Sequence, residues 1–424
     1  MTGTDDWRQG MRPRTADEVS HIRKAFGREN VEIGLERAGD GVGYLYAEGE
    51  LLVRDQHLQM VRDSLTLQRL QMTIEPPRYV LPGLARVGFA GPRVPEVLDA
   101  LDAELGEGAA TPNHLLTVAQ IFGGEASPCP ATDPREVYEG IEPYPSVCQG
   151  NGGAGVRVYI ADTGLLPDAG SHPWLAGAHG HEDPLSPNLT GGALQPYAGH
   201  GTFVAGVVRC LAPDAEIFVD SVFSTAGSAL ETDFVAALQR ALHHGADVFH
   251  LSVASPTRKN LQLLTFWAWL GRLEQHKGVV CVAPAGNAGI QRPHWPGASP
   301  KVVSVGALAA DWRSRASFSN HGGWVDVYAP GRDLVNAYAK GDYICEMVPY
   351  AGQLRHFHGM AQWSGTSFSS PIVTGLIAAR MWRTGENGAE AAAAVIAEAR
   401  SKAIPGVGAI ALPSCLNDRR LPAP

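Results

Sequence analysis

The chain has 424 residues, of which 45% are apolar and 18% charged, and a formal net charge of −9. That length predicts two domains rather than one small core, and the apolar content excludes a disordered chain. The acidic balance argues against nucleic acid, since phosphate binding wants a basic face, so peptides, small molecules or another protein are the expected partners.

Met1 to Asn30 is polar, with charges of both signs and no apolar core. It is therefore not a secretory signal, and residues 1–40 read as a flexible polar arm. From Gly43 the pattern becomes regular. Tyr44-Leu45-Tyr46 and Leu51-Leu52-Val53 read as extended around a Gly49 turn, and Gln56 to Leu70 as helical through Leu58, Val61 and Leu65. A second unit follows: Arg78–Leu81 and Ala85–Phe89 extended, Val94–Leu105 helical, and His114–Val118 extended. Two strand–helix units closing on a strand predict a small α+β domain of the βαββαβ, ferredoxin-like kind over residues 41–119.

Residues 120–150 carry Gly123, Gly124, Pro128, Pro130, Pro134, Pro143 and Pro145 and read as a linker or extended surface segment. Six cysteines do not make a disulfide scaffold in so long a chain, and in a reducing compartment they would be free thiols. Cys129 and Cys148, which bracket this stretch, are the one pair worth testing. No apolar run reaches membrane-spanning length; Leu263–Leu270, among the most apolar, reads as buried helix. A cytoplasmic location and no membrane partner are the expectation.

Residues 151–424 alternate short Val/Ile-rich runs with helical ones: strands at Val156–Ala161, Glu216–Val222, Val248–Leu251, Val279–Val282, Val302–Ala307 and Val325–Tyr328, helices at Gly201–Arg209, Asp233–His244, Leu261–Gln275 and after Ser367, and a closing helix over Glu386–Ala399. The fold class is α/β, with a parallel sheet covered by helices on both faces. Functional groups then belong at the carboxyl ends of the strands.

Four stretches carry chemistry. Val156 to Gly164 is a buried strand ending on Asp162, an acid with little water that needs a partner to stay ionised. Gly199-His200-Gly201-Thr202 opens a tightly packed helix with a histidine suited to general base work. Val280 to Gly289 ends a strand on Asn287, whose amide can donate to a developing oxyanion. Trp363-Ser364-Gly365-Thr366-Ser367-Phe368-Ser369-Ser370-Pro371 leads into a buried helix and sets Ser367 at its positive end as the candidate nucleophile. Pro371 is expected in that helix's first turn, where no N–H is needed. Alone, each has a plainer reading: a turn aspartate, a structural histidine, a left-handed asparagine, a serine-rich cap.

Together, in the order Asp…His…Ser, these motifs resemble the subtilisin-like serine proteases over about residues 150–412. The resemblance implies a serine endopeptidase with Asp162, His200 and Ser367 as triad, Asn287 and the Ser367 N–H as oxyanion donors, and Ser252-Val253-Ala254 as the strand that pairs with an extended peptide. Ala254 stands where the family commonly has glycine and would narrow the primary pocket. Arg292 could face an acidic side chain or, more simply, solvent. The N-terminal domain resembles the family's inhibitory propeptide, which would make it an intramolecular inhibitor and the chain a zymogen that cuts itself between about Val118 and Gly152. Two alternatives are a catalytically idle peptide- or partner-binding relative and a maturation protease with one precursor peptide as substrate.

No cofactor is expected. Family members often bind structural calcium, but no acidic loop here is assignable to it. His179-x-His181-Glu182-Asp183 and His356-x-His358 have donors that suit zinc, yet both sit in loops without a second ligand pair, so no metal site is assigned. Cys281 reads as a small packed apolar residue. The insertion Gly341–Gln362 precedes the serine motif, and nothing in it decides between lining the cleft and binding a regulator.

Overall fold

The computed structural model describes residues 13–39, 41–64, 70, 72–118, 133–150, 152–186, 192–345 and 350–413. Over residues 13–38 the expected flexible arm is instead ordered: Pro13–Arg28 is a helix, α1, and Ile33–Ala38 a strand, β1. Ala16, Val19, Ile22 and Phe26 share one face of α1 and are buried, an apolar stripe that the polar residues around it conceal. Next come β2 (Gly41–Arg54), α2 (Asp55–Asp63), β3 (Thr73–Ile74), β4 (Arg78–Leu81), β5 (Leu84–Ala90), α3 (Val94–Leu105) and β6 (Ala110–Thr117). The expected Gly49 turn is instead an irregularity within β2, where its register against β6 shifts between Tyr46 and Leu51.

Strands β6, β2, β5 and β3 lie side by side in that order, with β1 on β2 and β4 on β5, all antiparallel. Because β2 alternates, its two faces meet different partners. Tyr44, Tyr46, Leu51 and Val53 pack with Leu58 and Val61 of α2 and Val97, Leu98 and Leu101 of α3. Leu45 and Ala47 pack with α1.

The remainder builds β7 (Arg157–Asp162), β8 (His179–Gly180), α4 (His200–Leu211), β9 (Glu216–Ser221), β10 (Ser228–Leu230), α5 (Glu231–His243), β11 (Val248–Leu251), α6 (Leu264–Leu273), β12 (Val280–Pro284), β13 (Val302–Leu308), β14 (Val327–Pro330), β15 (Leu334–Ile344), β16 (Leu354–Trp363), α7 (Thr366–Thr384) and α8 (Gly388–Ser401). A parallel sheet runs β14-β13-β12-β11-β7-β9-β8. Its valine-rich strands are buried on both faces, as helix-covered parallel strands must be: α4, α7 and α8 pack on one face and α5 and α6 on the other. From β7 the chain builds outward through β9 on one side and through β11 to β14 on the other. Strand order therefore reverses between β7 and β11, which opens a crevice at their carboxyl ends.

Of the insertion at 341–362, residues 341–344 and 354–362 belong to the antiparallel pair β15–β16. Residues 133–150 do not hang free: Arg135 pairs with Gln362 of β16, Tyr144 with Val335 of β15, and the Cys148 N–H reaches the Cys210 carbonyl of α4. Cys148, one of the pair singled out for testing, is disulfide-bonded, so the cysteines are not all free thiols. Its suggested partner Cys129 lies outside the described residues, while Cys210, Cys281 and Cys345 are free and buried. Among the described residues no helix is long and apolar enough to cross a membrane.

The two parts share a sheet edge that sequence reading missed. Strand β10, from the larger part, pairs antiparallel with β6, Ser228 opposite Thr117 and Leu230 opposite Leu115. Ala226 and Leu230 also join the cluster under α1. Polar groups close the contact. The Arg258 N–H donates to His114 Nε2 at 3.2 Å, which leaves His114 Nδ1–H to donate to the buried Glu231 at 2.9 Å. Asn113 bonds Thr232 in both directions, Arg258 bridges Asp99 and Asp102 of α3, and Lys259 reaches Asp102 and Glu107.

Candidate active site

Asp162 ends β7 at the crevice and is fully buried. Its Oδ1 accepts the Thr163 N–H at 2.7 Å and lies 2.8 Å from His200 Nδ1, with Oδ2 at 3.0 Å. A carboxylate so placed fixes the ring and makes Nδ1 the donor, which leaves Nε2 as the basic nitrogen. The glycines of both motifs permit this approach. A Cβ on Gly201, at the start of α4, would lie 2.3 Å from the Gly164 carbonyl oxygen, and Gly164 itself has φ +108°. Gly199 caps α4 in the left-handed region, φ +74°, a conformation glycine adopts without penalty.

Aromatic rings hold the imidazole from the other side. Phe368 lies 5.2 Å from it and Trp363 5.4 Å, the latter edge-on. Phe368 follows Ser367, so α7 brings its first turn against α4. The helix starts at Thr366 with Gly365 as cap. Pro371 therefore sits in the second turn rather than the first, and offers no N–H to the Ser367 carbonyl four residues back.

Ser367 and Asn287 meet through Thr366. Asn287 Oδ1 accepts the Thr366 N–H at 2.8 Å and the Thr366 hydroxyl at 2.9 Å, while the Gly286 N–H donates to that hydroxyl at 3.1 Å. Since a backbone N–H can only donate, the carbonyl end of the Asn287 amide faces Thr366 and its NH2 is the opposite end. The Ser367 hydroxyl, nearly buried, donates at 3.4 Å to the carbonyl oxygen of Val118, the residue after β6. Val118 is held in turn by its N–H on Gly227 O at 3.0 Å, and the Thr117 N–H donates to Ser255 Oγ at 3.1 Å.

The predicted strand Ser252-Val253-Ala254 continues from β11 and is buried. Its Ser252 N–H is taken by Ala161 O. The N-terminal part reaches this side of the crevice through Ser255, and the backbone pairing of β6 is with β10 instead. Arg292 faces neither an acid nor solvent alone: it donates to Asn260 Oδ1 at 2.7 Å and Thr257 O at 2.9 Å.

Asp183, read above only as a metal donor, accepts hydrogen bonds from the Gly199 N–H at 2.7 Å, the Leu185 N–H at 2.9 Å and the Thr163 hydroxyl at 3.1 Å. It thus ties the residue after Asp162 to the residue before His200. Burial pushes its carboxyl up to about 6 in spite of these donors. His181 pairs with Asp220 and His356 with Asp342, and among the described residues no three His, Cys, Asp or Glu side chains converge on a point suited to a metal ion. His250, on β11, is buried and bonds Thr374 of α7 at 3.0 Å; burial drops it to about 3.

The Asp162–His200 pair, the first turn of α7 with Ser367, and the Asn287 amide thus converge at one crevice of an α/β fold. The chain belongs to the subtilase family, whose model matches residues 153–406. It is 31% identical over 276 residues to the thermophilic serine proteinase of Bacillus sp. (strain AK1), across 61% of this chain and 59% of that one. To thermitase of Thermoactinomyces vulgaris it is 30% identical over 236 residues, across 53% of this chain and 74% of thermitase. Fervidolysin from Fervidobacterium pennivorans, a keratinolytic enzyme related to subtilisin, aligns with 92% of this chain and 63% of its own at TM-score 0.56 and 19% identity. At that identity the likeness is one of fold.

Proposed function

We propose that this chain is a serine endopeptidase made as a self-inhibited zymogen, that Asp162, His200 and Ser367 are its triad, and that it cuts its own Val118–Ala119 bond. The observation that carries the reading is the Val118 carbonyl resting on the Ser367 hydroxyl while β10 and Ser255 grip the residues before it. A peptide held that way is posed as a substrate before cleavage and as a product after it.

In this reading Ser367 Oγ turns from the Val118 oxygen to its carbon, giving its proton to His200 Nε2, and Asp162 stabilises the imidazolium. The Asn287 NH2 and the Ser367 backbone N–H take the oxyanion; losing one such donor typically costs about 10²–10³ in rate. Collapse breaks the C–N bond, His200 returns the proton to the Ala119 amine, and water then releases Val118 from Ser367. Residues 1–118 act as the intramolecular inhibitor, and other polypeptides entering by the Val118 route are the substrates in trans.

Expressing the wild type beside Ser367→Ala tests this. Mass spectrometry should find a chain beginning at Ala119 in the wild type only, and a fluorophosphonate probe should label the wild type alone once residues 1–118 are removed. A folded, freed wild type that neither cuts nor labels would instead support the idle peptide-binding alternative.

A further inference from the structure

We infer that Asn320 is the positioning residue that fixes the Asn287 amide in the oxyanion site, an inference that rests on the oxyanion role proposed for Asn287. Asn287 lies in a loop after β12, and loops set such groups less precisely than regular elements do. Here one residue makes four of the bonds that pin the loop from beneath, three through its side chain and one through its backbone N–H. Asn320 is fully buried. Its Oδ1 accepts the Ala288 N–H at 3.0 Å and the Ile290 N–H at 3.3 Å. Its Nδ2 donates to Ala285 O at 3.0 Å, and its backbone N–H to Gly286 O at 2.9 Å.

Four bonds thus fall on residues 285, 286, 288 and 290, on both sides of Asn287 and never on Asn287 itself. Nδ2 also lies 3.0 Å from His294 Nδ1. That nitrogen also lies 3.0 Å from the Arg292 carbonyl oxygen, which only accepts, so its N–H belongs to Arg292 and the Asn320 contact is a close approach, not a further anchor. Both Oδ1 and Nδ2 of the Asn320 amide thus bond the loop. Thr366 holds the head of Asn287 from above, Asn320 holds the backbone beneath it, and between them the NH2 has one direction left. A group that must meet charge only as it develops gains from being aimed in advance, and a displacement of about 1 Å can cost about 10²-fold.

The test is a double-mutant cycle on self-cleavage of the full chain, timed after dilution from denaturant, with Asn287→Ala, Asn320→Ala and both together. Asn320→Ala should slow cleavage about 10–100-fold in the wild-type background and by less than about 3-fold when Asn287 is already alanine. Asn320→Ser, which can still accept one loop N–H, should fall between alanine and wild type and show the same loss of effect beside Asn287→Ala. It serves as the readout where Asn320→Ala does not fold. An equal slowing in both backgrounds would overturn the inference by marking Asn320 as general scaffolding. So would an unchanged rate for folded Asn320→Ala with Asn287→Ala slow. Were Asn287→Ala itself as fast as wild type, the oxyanion reading would fall first and this role with it.

Discussion

The carbonyl oxygen of Val118 stands 3.4 Å from the hydroxyl oxygen of Ser367, although 249 positions separate the two in the chain. The distance depends on how the preceding residues are gripped, and one grip is a single hydrogen bond, Thr117 N–H to Ser255 Oγ. Ser255→Ala leaves that buried N–H without its acceptor, at a cost of about 1–3 kcal/mol. Self-cleavage should slow by about 10-fold with the same product termini, as followed by mass spectrometry through a refolding time course. Unaltered kinetics would show that the strand is held without Ser255.

Gly201→Ala should cost far more. The added methyl would lie 2.3 Å from the Gly164 oxygen, so α4 must back away from β7 and carry His200 off Asp162. We expect at least about a 100-fold loss of cleavage rate in a chain that still shows native near-ultraviolet circular dichroism. Near-normal cleavage would mean that the two elements can separate without disturbing the pair.

The buried His114–Glu231 contact predicts what holds residues 1–118 in place. With His114→Ala, Glu231 and the Arg258 N–H both lose a partner inside the interface, a penalty of roughly 2–4 kcal/mol. After cleavage, the fragment should then dissociate on a sizing column under conditions where the wild-type fragment stays bound. Co-elution equal to wild type would count against the contact as an anchor.

Asp183 gives a pH signature. Its carboxyl is raised from 3.8 to about 6 by burial, so between those values the folded chain keeps a proton that the unfolded chain has released. Stability contributed by this group therefore falls as pH climbs from 3.8 to about 6, by on the order of 3 kcal/mol in all, and is flat above. Melting scans of Ser367→Ala against Ser367→Ala/Asp183→Asn should show this part of the slope vanishing in the second protein. Parallel curves would assign the slope to other groups.

What could be read without coordinates were features with a local cause. Asp162, His200, Asn287 and Ser367 each sit at the seam of a strand or helix with a glycine turn, and such seams announce themselves in a few adjacent residues. The parallel sheet was legible for the same reason, since strands buried on both faces become unbroken Val/Ile runs. Partnerships across long separations were not. Nothing near Ser228 says that it faces Thr117, and Asn320 looks like any asparagine in a loop until residues 285–290 fold over it. Asp183 was noticed, but for a metal, because its neighbouring histidines suggested ligands and only the fold shows three donors closing on it. The stripe at 16, 19, 22 and 26 was there to be seen, at helical spacing, and was masked by the charges between.

The stretch from Asp133 to Cys148 is stitched to β16, to β15 and to the end of α4. A cut after Val118 opens the backbone upstream of every stitch, while Glu231, Arg258 and β10 go on gripping the severed piece. Such a molecule would count as two on a denaturing gel and as one to anything seeking its crevice. Its dormancy would then end by departure, not by breakage, and the timing of its work would be set by how fast a detached fragment lets go.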